Sequence, residues 1–365
     1  MKLSEKIAVG IFREDNAVNA RLRHTFLRTC SVIKICLIIA LYVALTCFVW
    51  IVFLRESGVN RNVHARLAEM VDWTADKPYV YRTLLPTTVH VISMVTPGRL
   101  TNAIETKLSS TETIQAFSQY ALVEPGFLYE NILVFGLMYL SLIGYAVMLF
   151  KLARMVLGEK SVLAHLAPCI GMLSLPPFFV FGYIYDFPVL FLCSICIYLL
   201  FQQKWFGYFF FFALSCLNKE TTIVLFVAYL AYFYDKLDIK QFSLLAFIHL
   251  AVFGLIKGGL HLAFANNPGV VMYVTIAAQF KHFIFMYSYI NLFLLLIMIF
   301  LLVYDWKNKP EFLKRSLWMA APLIVLFMIG GCPGEYRVFY EILPILVLLV
   351  THTLIHAGKF AVAKF

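Results

Sequence analysis

Residues 79–95 read YVYRTLLPTTVHVISMV. The run is apolar enough to pass for a membrane span, and whether it is one decides which way every later segment faces. The deciding quantity is charge, because helical membrane proteins keep an excess of Lys and Arg on the cytoplasmic side. If residues 79–95 stay out of the bilayer, most of the 30 Lys and Arg residues fall on cytoplasmic segments. If they cross it, the larger share falls on the other side and Arg82 is buried in the span. The first arrangement is expected. The run is then an interfacial or re-entrant helix, broken at Pro86, whose ring removes a backbone donor.

Composition sets the class around this stretch. Of 365 residues, 62% are hydrophobic and only 14% are charged, with a mean hydropathy of +0.84. Soluble domains carry roughly 25% charged residues, so this chain is expected to be an all-α, polytopic transmembrane bundle. Ten spans are expected, at 31–54, 126–150, 161–183, 187–201, 205–217, 221–234, 242–264, 285–304, 317–330 and 338–356. They form one transmembrane domain, residues 31–357, whose long outer loop covers residues 55–125. Both termini lie in the cytoplasm of a multi-pass protein of the inner or plasma membrane. Residues 1–30 form a basic amphipathic segment or a disordered tail, and residues 358–365 a short cytoplasmic tail. Several central spans fall short of the roughly 20 residues a crossing needs, as helices do when they stop partway at a cavity. The net charge of +10 is accounted for by orientation, so no nucleic-acid partner is expected.

The outer ends of the spans differ from the cytoplasmic ones. Residues 72–86, DWTADKPYVYRTLLP, hold Asp72, Asp76, Lys77 and Arg82. Asp186 lies in YIYDFP, Lys219 and Glu220 in LNKETT, and Glu335 and Arg337 in PGEYRVFYE. A carboxylate at the membrane edge is costly unless it is paired or faces a cavity, and four such clusters on one side suggest a polar site. Blander readings stand beside this one. Asp186 would serve as a helix cap ahead of Pro188. Asn218 would cap a tight hairpin, Glu335 and Arg337 would form a structural ion pair, and Asp72 and Asp76 would be solvated charges. Arg82 resists such a reading, because it interrupts an aromatic run.

Other features read as structural. Gly254 and Gly258 have small-xxx-small spacing for close helix packing. Pro176 and Pro177 are expected to kink a span. Cys193 and Cys196, the CSIC pair, are expected to be packed thiols rather than a redox or zinc pair. His261 and His282 lack the spacing of metal ligands.

No phosphate-binding glycine loop, dinucleotide fingerprint, GxSxG or HExxH occurs in the sequence. Carboxylates and cations at a membrane edge suit a transfer with an anionic leaving group. The carboxylate takes a proton from an acceptor hydroxyl, and Arg and Lys stabilise the phosphate charge that develops. Aromatic rings such as Trp73, Tyr79, Tyr81 and Tyr185 suit contact with a sugar or an isoprenoid chain.

On these residues the chain resembles the GT-C class of integral-membrane glycosyltransferases. The likeness rests on a first span followed by a long outer loop with Asp72 and Asp76, on the many-span body, and on charged outer helix ends. It lacks the adjacent acidic pair found in many members, since Asp72 and Asp76 are four apart, and is expected to lack the large soluble C-terminal domain of some members. The resemblance implies a polyprenyl-phosphate sugar donor and a glycan, lipid or protein acceptor among membrane lipids, as in polysaccharide biosynthesis at the cell envelope. It implies Asp76 or Asp72 as the base, with Asp186 a further catalytic candidate. Arg82, Lys219 and Arg337 would bind the donor phosphate. Asp186, Glu220 and Glu335 would orient the acceptor or hold a divalent cation, magnesium or manganese. A polysaccharide polymerase or ligase, and a transporter or flippase of a lipid-linked or anionic substrate, are the alternative readings.

Overall fold

The computed structural model describes residues 32–362 apart from 58, 125, 159–161, 273 and 287. The expected N-terminal amphipathic segment lies outside the described residues. The described chain is all-helical, with a single isolated β-bridge between Lys77 and Gly269. Helix α1, Val32–Glu56, is followed by a loop that itself folds into four helices. These are α2 (Leu67–Val71), α3 (Leu84–Val95), α4 (Gly98–Ser109) and α5 (Glu112–Tyr120). Then come α6 (Leu128–Leu157), α7 (Leu166–Leu173), α8 (Asp186–Phe201), α9 (Trp205–Asn218) and α10 (Val224–Phe233). The chain ends with α11 (Ile239–Ala263), α12 (Ile276–Phe285), α13 (Tyr289–Val303), α14 (Glu311–Ser316), α15 (Ala320–Gly330) and α16 (Leu343–Val362).

Helix α8 is the axis of the bundle. Phe187, Val189, Leu190, Leu192, Cys193 and Ile195 point in different directions around the helix, yet all are buried. A helix that is apolar all round belongs in the interior. Helix α6 packs against it with a stripe at Asn131, Val134, Met138, Leu142, Tyr145, Leu149 and Leu152, the three- and four-residue spacing of one helix face. Gly144 lets the two helices approach, since a β-carbon there would stand 2.6 Å from the Phe191 ring. Helices α7, α9, α10 and α16 complete the inner layer.

The outer helices bury little. Helix α11 buries only Leu245, His249 and Lys257, and α15 only Leu323. Leu37, Ile51, Leu255, Phe293 and Val325 are among many large apolar side chains that are more than half exposed. Apolar surface on this scale calls for a non-aqueous surrounding. Among the described residues, four helices are long and apolar enough to cross a membrane: Val32–Glu56, Leu128–Leu157, Ile239–Ala263 and the composite Glu311–Gly330. By this measure the chain is a helical membrane protein.

Several expectations are corrected. Residues 79–95 do not form one helix broken at Pro86. Tyr79–Tyr81 is a 3-10 turn, Arg82 follows outside any helix, and α3 begins at Leu84. Pro86 sits in the first turn of α3, where its missing N–H has no intrahelical acceptor to lose. Residues 161–183 are not a continuous span either. Helix α7 ends at Leu173, so Pro176 and Pro177 start a separate 3-10 turn rather than kink a helix. Nothing lies within 4 Å of a β-carbon built at Gly254 or Gly258, so they make no close helix contact. Helix α12 was not foreseen. Its Gln279 donates to the carbonyls of Phe327 and Gly331, tying it to the end of α15.

Candidate functional site

Helix α8 starts, α9 ends and α16 starts at the same end of the bundle, and the turn carrying Arg82 folds over them. The sequence fixes these ends by simple means. The Tyr183 N–H donates to Asp186 Oδ2 at 2.9 Å, closing the turn into α8. Asn218 Nδ2 donates to the carbonyl of Tyr185 at 3.1 Å, tying the end of α9 to that turn. Asp186 is therefore not a helix cap, and Asn218 ends a helix rather than starting one.

Arg82 and Arg337 meet here. Arg82 is 6% exposed and Arg337 4%. Glu220 takes Arg82 with both oxygens, Nη2 to Oε1 at 2.7 Å and Nε to Oε2 at 3.3 Å. Arg337 donates to Asp186 Oδ1 at 3.0 Å and also to Glu335. Both guanidiniums donate to the hydroxyl of Tyr185, Arg337 at 3.5 Å. The rings form the other half of the arrangement. Tyr183 stacks on Tyr185 at 5.3 Å and 13°, and Tyr79 on Tyr183 at 5.3 Å and 23°. The Arg337 guanidinium lies 4.1 Å from the Tyr183 ring centre, and that of Arg82 lies 4.3 Å from Tyr185. Each such contact is worth about 0.5–2 kcal/mol. That is less than the several kcal/mol it costs to desolvate an ion, so the carboxylates are needed to hold two arginines here.

The site is open on one side. The Glu220 side chain is 40% exposed, although the arginine it grips is almost fully enclosed. Glu335 lies in the loop before α16. Burial pushes its carboxyl up, but Arg337 outweighs this and holds it below the usual carboxylate range.

The first-loop acids stand apart from the arginines. Asp76 Oδ2 is 2.6 Å from His64 Nδ1. The His64 backbone N–H donates to Asn62 Oδ1 at 3.0 Å. Asn62 Nδ2 in turn donates to the hydroxyls of Tyr79 at 3.1 Å and Tyr183 at 2.7 Å. Asp76 thus connects to the arginine pair only through intermediates. Asp72 is exposed at the C-terminal end of α2. Trp73 packs on His90 and Tyr81 on His261, so neither ring joins the tyrosine stack. Lys219 is not part of the arginine cluster and does not pair with its neighbour Glu220. Its Nζ lies 2.9 Å from Glu341 Oε1, and both side chains are buried. Thr221 also donates to Glu341.

The three carboxylates proposed for a cation are each taken by an arginine. Among the described residues, no three His, Cys, Asp or Glu side chains come together as a metal cage. Cys193, Cys196 and Cys216 are buried free thiols.

Sequence reasoning brought Arg82, Asp186, Glu220, Glu335, Arg337, Tyr79 and Tyr185 together, as found. It missed Asn62, His64, Tyr183, Lys257 and Glu341. Glu341 and Tyr183 lie within the quoted motifs or beside them, and Lys257 is a lone charge inside an apolar run. No protein-family model, curated protein or solved structure matches the chain.

Proposed function

We propose that the protein is a membrane glycosyltransferase, resembling the GT-C class, that moves a sugar from a polyprenyl-phosphate donor to an acceptor hydroxyl. The observation that carries this reading is the pairing of Arg82 and Arg337 over one tyrosine hydroxyl, at the end of an apolar bundle that opens beside Glu220. Two fixed guanidiniums in a low-dielectric setting suit a phosphate that gains charge as its bond to the sugar breaks. The acceptor oxygen would bond to the anomeric carbon and lose its proton to a carboxylate. The electron pair of the broken C–O bond would stay on the phosphate.

For the base we favour Asp76 over Asp72. Asp76 is held by His64, and its side chain is 26% exposed, so it is oriented yet within reach of an acceptor from water. Asp186 is better suited to hold Arg337 in place. Ten spans, with this end of the bundle facing away from the cytoplasm, remain the layout we propose. The transporter reading is less well supported, because the charges collect at one end of the helices rather than at mid-bundle.

The test is a transfer assay in nanodiscs, with polyprenyl-phosphate sugars as donors. Asp76→Asn is expected to abolish transfer while the melting temperature stays unchanged. Full activity in Asp76→Asn, Asp72→Asn and the double variant would remove the first loop from the chemistry.

A further inference from the structure

Helix α11 runs along the outside of the bundle and buries three side chains, two of which are His249 and Lys257. His249 is accounted for. Its two ring nitrogens meet the carbonyl of Leu245 at 2.7 Å and the hydroxyl of Tyr208 at 2.9 Å. Lys257 is not. The residue is 7% exposed, yet among the described residues its Nζ has no hydrogen-bond partner. A buried ammonium without a partner is among the most costly groups a fold can hold, and simple packing would be served better by Met or Leu.

The position of Lys257 shows where its missing partner would lie. His261, one turn further along the same helix face, packs against the Tyr81 ring at 4.3 Å, directly beside Arg82 in the chain. Helix α11 also packs on α9, whose end leads into Glu220. The charge on Lys257 is accordingly close enough to act on Glu220, Arg82 and Cys216. Arg82 is already balanced by Glu220, and Arg337 meets both Asp186 and Glu335, so the two arginines face three carboxylates. Lys257 brings the cluster to neutrality and, among the described residues, adds one set of unused N–H donors.

We infer that Lys257 is a ligand of the donor's phosphate group, which it receives at the open side of the Arg82–Glu220 pair. The inference rests on the glycosyltransferase reading and sharpens it. A phosphodiester presents two unesterified oxygens that can accept from the unused N–H donors of Lys257. A third donor from α11 would also bring the perimeter of the bundle into contact with the ligand, next to the exposed apolar surface where an isoprenoid tail would lie. Phosphate is the chemistry recognised, and it has two sources, a lipid-borne ester or the free anion.

The experiment uses full-length protein in nanodiscs, with farnesyl phosphate and inorganic phosphate as probes, and the variants Lys257→Met, Lys257→Gln and Lys257→Arg. Wild type is expected to bind farnesyl phosphate. Lys257→Met and Lys257→Gln should weaken binding about tenfold or more, and Lys257→Arg should stay within a few-fold of wild type. Lys257→Met is expected to melt no lower than wild type, because it removes a buried charge without leaving a hole. Farnesyl phosphate binding that is equal in wild type and the folded neutral variants would overturn the role of Lys257 while leaving the glycosyltransferase reading in place. No binding to wild type would overturn both. Displacement of farnesyl phosphate by an equal concentration of inorganic phosphate would overturn the lipid-borne source.

Discussion

Glu220 holds Arg82 through both carboxylate oxygens, although 138 residues separate them in the chain. The parallel pair, Asp186 with Arg337, spans 151 residues and is more deeply enclosed, with 1% exposure for the aspartate side chain against 40% for Glu220. The charge left behind sets what each is worth. Removing one partner of a buried pair strands the other charge and costs about 3–5 kcal/mol. Glu220→Ala strands the enclosed Arg82 and should lower stability by about that amount, whereas Asp186→Ala leaves Arg337 paired with Glu335 and should cost clearly less. Chemical denaturation in detergent measures both, and the opposite order would contradict the assigned pairing.

Lys219 and Glu341 form a sealed pair at 2.9 Å, with side chains 3% and 0% exposed. Lys219→Met and Glu341→Leu should each destabilise by about 3–5 kcal/mol, whereas the two combined should recover most of the loss. Additive losses in the double variant would show that the two charges do not depend on one another.

Two glycines should respond in opposite ways. A β-carbon at Gly144 runs into the Phe191 ring, while one at Gly254 meets nothing within 4 Å. Gly144→Ala should destabilise by about 1–3 kcal/mol through overpacking. Gly254→Ala should be neutral or stabilise by up to about 1 kcal/mol, because alanine loses less freedom in a helix. Thermal melts of the two variants make the comparison.

The stability that Glu335 contributes depends on pH. Arg337 lowers its pKa in the folded state, against the effect of burial. A group with a depressed folded-state pKa adds stability that is in place above its unfolded value of about 4.3. That stability is lost as pH falls through the lowered folded value. The melting difference between wild type and Glu335→Gln should be largest near neutral pH and shrink under acid. A difference that grew on acidification would reverse the sign.

Orientation can be read by cysteine labelling at exposed positions. Lys219 and Lys309 are buried and would not report, whereas Thr74 and Lys307 are exposed. In a cysteine-free background, an impermeant reagent applied from outside should label Thr74→Cys but not Lys307→Cys. The reverse pattern would invert the proposed topology.

Much of the site could be read in the sequence because its charges sit where apolar runs end, as Arg82, Asp186, Glu220 and Arg337 do. Their convergence required only that those ends share one side. The partners within the site were less legible. Lys219 adjoins Glu220 in sequence, yet the two point to Glu341 and Arg82, because the 3-10 turn after α9 sends successive side chains different ways. Lys257 was passed over because the glycines around it suggested packing, although a lone lysine inside an apolar helix is itself the signal. Helices α4 and α5 bury no residue, although Leu100, Ile104 and Leu108 in the first and Ile114 and Phe117 in the second recur at helical spacing, so the sequence held a signal for both.

The inner helices are short. Helices α8, α9 and α10 have 16, 14 and 10 residues, against 30 for α6 and 25 for α11. At 1.5 Å per residue the first three rise only about 15–24 Å, while α6 and α11 reach about 38–45 Å. A bilayer's hydrocarbon core is about 30 Å thick, so α8, α9 and α10 are each too short to reach both of its faces, while α6 and α11 are long enough. The Asp186–Arg337 pair sits at one end of α8, so about 24 Å of apolar helix is all that separates it from the opposite end.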